Sequence, residues 1–515
     1  MNQPADNTIC TPSAGDRKTF RPSIIHGKKA APGGDLQYPT RFADAHLARW
    51  NWALDMPSAS LDPVLYRWES GYWRAIPALE IAREAQQWLR VGAPKNANAR
   101  AADLCAATLI NAAGLVVPRL PSLEGHPSIV AAIGTRSHDL ILMDDGRLWA
   151  LPHDPAHGLT MQVPIDLDPA HIDAEGLYTP RCGREVWEGT WFGHWLNTST
   201  DSGEVAALLQ EAVGSTLINR HLEKALVLSG EGANGKSTLI HLLAALHGEQ
   251  ATASIALSHL AGEFGLEALV GKSLLAIPDS EGFIPDIAVA RIKSLVSGDL
   301  ISANRKHLRA VSFLPRCALV IATNTPLLFR GEQHNYGTLR RFLTIPFDAT
   351  IAPADRIPDL HRRILDQDSG LVLDWALAGA QRLAARGFRW PDEPAAVREI
   401  VREQRIRTDI VYAWVEEHHA CANVRALTSR AAIYKAFRVW ADTDGRQALS
   451  AEAFWHRLRM LVSRNSPLEE RRVLLDGRRE RLVGLRVEGI QPAILVPEPG
   501  TPAPAPLMEK IDLMF

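Results

Sequence analysis

Residues 225–238, ALVLSGEGANGKST, carry the pattern that most constrains what this chain can fold into. Four apolar residues (225–228) lead into Gly230, and Gly230, Gly235, Lys236 and Ser237 satisfy G-x-x-x-x-G-K-[ST] in full. Leu239, Ile240, Leu242, Leu243 and Leu246 follow with helical spacing, and Gly248 stands where such a helix would end. Buried strand, glycine loop and helix thus come in the order a phosphate-binding loop needs. The glycines permit the backbone to wrap an anion with its N–H groups at the positive end of a helix. Gly230, Glu231, Gly232, Ala233, Asn234, Gly235, Lys236, Ser237 and Thr238 are therefore expected to cradle ATP. Lys236 would reach the β/γ-phosphates and Ser237 would ligate Mg²⁺.

Such a loop needs an acid at a neighbouring strand end. The next apolar run, residues 274–277, leads through Pro278 to Asp279, Ser280 and Glu281. Asp279 is expected to share the metal with Ser237, and Glu281 to activate the attacking water. Pro278 interrupts the contiguous form and leaves the division of labour between the two acids open. A third apolar run, residues 317–322, ends at Thr323-Asn324, whose amide could sense the γ-phosphate. Strand and helix patterns alternate from residue 225 to 347, which predicts an α/β sheet.

The remainder of the chain sets bounds. Its 515 residues suffice for two to four domains. Lys plus Arg number 56 against 58 Asp plus Glu, which excludes a uniformly basic nucleic-acid coat but not local basic patches. Cys10, Cys105, Cys182, Cys317 and Cys421 are scattered with no CxxC pair, which excludes a disulfide scaffold and a local zinc knuckle. The longest uncharged stretch, residues 104–118, is short of the ~20 apolar residues a membrane span needs. With a polar N-terminus and no membrane association, a cytoplasmic location in a bacterial cell or an infected host is expected.

Four blocks in order, GEGANGKST, LLAIPDSEG, IKSLVSGDLISANRKH and LVIATNTP followed by GTLRRFLTIPF, resemble the superfamily 3 helicases. The likeness is to the phage/plasmid primase-helicase branch, related to the poxvirus primase-helicases. It implies an AAA+-like P-loop core over residues 204–388 and an α+β helicase-associated domain over 46–203. It further implies a ring, most simply a homo-hexamer, around single-stranded DNA. Asn324 would be the sensor, and Arg340 or Arg341 an arginine finger acting on the neighbouring subunit's ATP. Lys293 belongs to the third block, and Arg305, Lys306 and His307 resemble the tip of a hairpin that grips the tracking strand. The function implied is ATP-dependent DNA unwinding in phage, prophage or plasmid replication.

Residues 1–45, with Pro, Gly and scattered Lys and Arg, read as a flexible basic arm. Two hairpins are expected, around Ser70-Gly71 and Asp145-Gly146. Residues 429–441 and 451–462 read as amphipathic helices and 473–487 as a hairpin, the order of a winged helix, so 405–490 is expected to meet duplex DNA through its arginines. A Pro-rich linker and tail (491–515) end in Lys510-Ile511-Asp512-Leu513-Met514-Phe515, similar to a degenerate sliding-clamp-binding peptide. Asp166, Asp168 and His171 superficially suggest a primase metal site, but too little chain surrounds them. Competing readings are an ATP-switched, non-unwinding replication initiator, a primase-helicase whose primase motifs are not visible, and an ATPase acting on protein or RNA.

Overall fold

The structure is a computed structural model that describes residues 37–55, 64–119, 121, 123, 126–200, 202–218, 220, 222–280, 283–305, 308–325, 327–329, 338–463, 468–475 and 478–495. At its centre lies a five-stranded parallel sheet of Ala225–Ser229 (β1), Thr252–Ser254 (β2), Leu274–Ser280 (β3), Ala318–Thr323 (β4) and Phe342–Pro346 (β5), in the order β5-β1-β4-β3-β2. Side chains alternate along each strand, and both faces are buried. Leu226 and Leu228 of β1 join one core with Val320 and Ala322 of β4, while Ala225 and Val227 join the other with Leu319 and Ile321. A sheet covered on both sides explains why these strands read as continuous apolar runs.

Four helices cover the first face: Trp191–Ser199 (α1), Gly203–Leu217 (α2), Lys236–His247 (α3) and Leu360–Ala385, which becomes α5 once Asp286–Ser297 (α4) is counted on the opposite face. In α3, Leu239, Leu242, Leu243 and Leu246 are buried, the stripe expected from their spacing. Helices α2 and α5 meet backbone to backbone. A Cβ on Gly214 would lie 2.4 Å from the carbonyl oxygen of Ala376, and one on Gly379 would lie 2.1 Å from that of Gln210. Ion pairs from Arg382 and Arg386 to the buried Glu211 flank this seam.

Before the central sheet, helices Tyr38–Arg49, Ala78–Gly92 and Ala99–Val116 pack on an antiparallel sheet of Trp52–Asp55, Val64–Glu69 and Tyr72–Ala75. The flexible arm expected to reach residue 45 is corrected here. Pro39 opens a helix whose Phe42 and Ala43 are buried, so order begins by Tyr38. A second antiparallel sheet, Ile129–Gly134, Asp139–Met143, Leu148–Leu151 and Leu177–Tyr178, follows. Both expected hairpin turns form, with positive φ at Ser70, Gly71 and Gly146.

After α5 come helices Ala395–Thr408 and Ile410–Glu417, strand Cys421–Ser429, helices Arg430–Thr443 and Ala451–Val462, and an antiparallel pair, Glu470–Leu475 with Arg478–Arg486. The helix, helix, hairpin order is as expected, and strand Cys421–Ser429 adds to the pair. Phe437 and Phe454 stack at 4.4 Å in the core of this unit. Among the described residues no helix is long and apolar enough to cross a membrane.

Candidate functional site

The strand order reverses beside β1, so the carboxyl ends of β1, β3 and β4 open onto one crevice, where ligands of open α/β sheets bind. A cleft of about 440 Å³ lies there, lined by Asn234, Gly235, Lys236, Ser237 and Thr238 of the glycine loop and α3, Asp279 from β3, and Asn324 beyond β4. The sequence reading named all of these, and the fold brings them together from positions up to 90 residues apart.

The loop is braced from within. Lys236 is buried, and its Nζ donates to the carbonyl oxygen of Gly230 at 2.6 Å and to Oδ1 of Asn234 at 2.9 Å. The amide of Asn234 turns its Nδ2 to the carbonyl oxygen of Phe347, 2.6 Å away at the end of β5. Ala233 and Gly235 both have positive φ, and Gly235, at +88°, caps the N-terminus of α3. Burial pushes the Lys236 ammonium below its usual pKa, and Asp279 partly restores it. A buried ammonium whose hydrogen-bond partners are neutral oxygens retains an unbalanced charge, which suits an anion.

Pro278 does not spoil the acid. The β3–β4 register shifts between Ile277 and Ser280, a bulge that lifts Pro278 and Asp279 out of the ladder and exposes both. Proline lacks the N–H a central strand needs, and a bulge is where a sheet tolerates it. Bulges also re-aim side chains, and this one turns Asp279 into the cleft. Thr323 Oγ1 donates to the carbonyl oxygen of Ser280 at 2.7 Å, tying the tip of β4 to that of β3. Ser280 Oγ is itself buried without a hydrogen-bond partner among the described residues.

This donor set fits a nucleotide and its metal. A hydroxyl (Ser237) and one carboxylate (Asp279) suit Mg²⁺, which takes few protein ligands when phosphates supply others. Among the described residues no cluster of three or more His, Cys, Asp or Glu could hold a metal without such help. Asp168 instead caps a short turn at the Ala170 N–H, 3.0 Å away, and lies 3.6 Å from Arg181, while Asp166 lies 3.4 Å from Arg136.

The two arginines separate. Both precede β5, whose first residue pairs with Ala225 at the amino end of β1, so they sit at the sheet edge opposite the glycine loop. Strand β1 puts roughly 16 Å between the two edges. Arg341 is half-buried and hydrogen-bonds Ser297 Oγ at the end of α4, and burial together with its charge lowers the pKa of Lys293. Arg340 is exposed. Strands Ile301–Arg305 and Leu308–Phe313 pair as an antiparallel hairpin, while its tip, Lys306 and His307, lies outside the described residues. Glu281 and residues 510–515 also lie outside them.

The cleft has a second wall that sequence reasoning missed. His194 and Trp195 of α1 and Ile351, Asp355, Arg356 and Leu360 ahead of and opening α5 line it. No spacing rule connects these positions to the glycine loop; only the packing of α1 and α5 over α3 does.

The model of a family of unknown function (DUF5906) matches residues 228–341, from the end of β1 to Arg341. The chain is also similar to the apo structure of the NrS-1 C-terminal region (305–718), at 12% identity and a TM-score of 0.44, over 88% of this chain and 100% of that one. The A form of the apo NrS-1 C-terminal region matches at 13% identity and a TM-score of 0.38, over 69% of this chain and 96% of that one. These superpositions are loose, and the site stands on its own geometry.

Proposed function

We propose that this chain is an ATP-dependent DNA helicase that works as a ring, most simply a homo-hexamer, in phage, prophage or plasmid replication. One observation carries the reading: the glycine loop and the Arg340–Arg341 pair occupy opposite edges of one sheet. The arginines are about a strand length from their own loop, so as a finger either would serve a nucleotide held by another copy. Each chain then contributes two half-sites, which favours a closed ring of identical, head-to-tail interfaces.

In this reading Lys236 exchanges neutral oxygens for the β/γ-phosphates, and the amides of the loop and the first turn of α3 hold the same anion. Ser237 and Asp279 would hold Mg²⁺, which when bound neutralises phosphate charge. Glu281 orients the attacking water and Asn324 contacts the γ-phosphate. Arg340 of a neighbouring copy stabilises the charge that develops in the transition state. The 301–313 hairpin would carry Arg305, Lys306 and His307 to single-stranded DNA, with Lys293 of α4 as a further contact. The arginines of residues 405–490 would meet duplex DNA, and residues 510–515 a sliding clamp.

Strand displacement on a forked DNA, with wild type and Lys236→Ala in parallel, tests the reading. Unwinding by the wild type alone supports it. ATP hydrolysis without displacement, with DNA and Mg²⁺ present, would replace it by an ATP-switched initiator.

A further inference from the structure

Helix α1 lies outside the stretch matched by the family model, yet it packs directly on Gly235 of the glycine loop. Trp195 Nε1 donates to the carbonyl oxygen of Gly235 at 3.2 Å, and the N–H of Leu239 donates to the same oxygen at 3.1 Å. The peptide joining Gly235 to Lys236 is planar and trans, so its N–H points opposite to its C=O. Holding the oxygen in this way therefore aims the Lys236 N–H back out of the N-terminus of α3. That N–H is one of the unsatisfied donors at the start of α3 that an anion would take.

The indole is placed to hold this geometry. Trp195 is fully buried and stacks on Phe192 at 5.8 Å. Phe192 in turn anchors α1 to α5: its N–H donates to Oδ2 of the buried Asp368 at 2.9 Å, and its ring meets Trp375 edge-on at 5.4 Å. The approach of α1 to the loop leaves no room for a side chain. A Cβ on Gly235 would lie 2.1 Å from Ser199 Oγ and 2.8 Å from Trp195 Nε1. Ser199 Oγ is buried and has no hydrogen-bond partner among the described residues, so the indole N–H alone joins α1 to the loop's backbone there.

We infer that Trp195 is a positioning residue for the phosphate loop: its indole N–H fixes the Gly235–Lys236 peptide so that the Lys236 amide faces a bound nucleotide's phosphates. This rests on the nucleotide-binding reading above. Helix α1 thereby becomes part of the nucleotide site, with His194 beside Trp195 on the cleft wall.

The test is Trp195→Phe, which keeps a buried aromatic ring but removes the N–H together with the indole's second ring. Trp414→Phe, the same change at a fully buried tryptophan of helix Ile410–Glu417, away from Gly235 and from Phe192, is the matched control. Binding of a fluorescent ADP and the KM for ATP are measured beside the melting temperature without nucleotide. A hydrogen bond of this kind is worth about 0.5–1.5 kcal/mol, so W195F should raise Kd and KM about 2- to 13-fold. The control should leave both near wild type, whatever it does to the melting temperature. Wild-type affinity in W195F, or equal weakening in the two variants, overturns the proposal. Failure of the wild type itself to bind nucleotide would instead overturn the site reading on which it depends.

Discussion

Lys236 Nζ donates to Asn234 Oδ1 across 2.9 Å, while the other end of that amide holds the Phe347 carbonyl oxygen at 2.6 Å. One side chain thus ties the loop's lysine to the far end of β5, and its two polar atoms must differ, one acceptor and one donor. Asn234→Asp supplies two acceptors and a negative charge beside the lysine. It should weaken ADP binding about tenfold or more, because the carboxylate offsets the Lys236 charge that draws phosphate and leaves the Phe347 carbonyl oxygen facing a second acceptor, an unmade bond that costs about 1–3 kcal/mol. A fluorescent ADP titration reads this directly.

The arginine pair predicts two different losses. Arg341→Ala removes the hydrogen bond to Ser297 between β5 and α4, and urea unfolding should show a stability loss of about 1 kcal/mol. Arg340→Ala, at an exposed position, should leave unfolding unchanged and reduce ATP turnover by ~10³-fold or more. Mixing Arg340→Ala with Lys236→Ala should restore part of the turnover, because one copy keeps a sound loop and the other a sound arginine.

Asp279→Asn keeps the side-chain volume on the β3 bulge and removes the charge. Nucleotide should still bind, held by Lys236 and the loop amides, while Mg²⁺-dependent phosphate release falls on the order of 100-fold. Equal turnover in the variant would remove Asp279 from the metal site.

The glycine loop, Asp279 and Asn324 were legible in the sequence because each ends an apolar strand, and parallel strands bring their carboxyl ends to one edge. That Pro278 would be accommodated by a bulge was not legible, since a register shift depends on the partner strand. The division between Arg340 and Arg341 needed Ser297, which lies 44 residues earlier. Trp195, His194 and Arg356 carried no local signal: their role comes from helices α1 and α5 closing over α3, a consequence of tertiary packing alone. The helix beginning at Tyr38 was hidden by a Pro- and Gly-rich approach, and it is the burial of Phe42 that marks it.

His247, at the end of α3, is fully buried between Ser273 Oγ at 2.9 Å and Thr216 Oγ1 at 3.1 Å, and burial holds its pKa down at about 3. An unfolded histidine titrates near 6.5. Above that pH both states are neutral and the full stability is present. Below it the unfolded chain takes a proton that the native chain refuses, and stability falls by about 1.4 kcal/mol per pH unit until pH 3. Between pH 7 and 5 the wild type should therefore lose about 2 kcal/mol more than His247→Gln in urea unfolding.

The seam between α2 and α5 carries a lesson about reading variation. Gly214 and Gly379 each lie too close to the opposing backbone to admit even a methyl group. Among functional descendants of this chain, both positions should stay unchanged through drift, as steadily as Lys236. A ranking of positions by invariance would then place two residues remote from any chemistry beside the lysine of the loop. Their constancy would record how near two helices pass, and only a map of the fold could tell that apart from selection on a ligand.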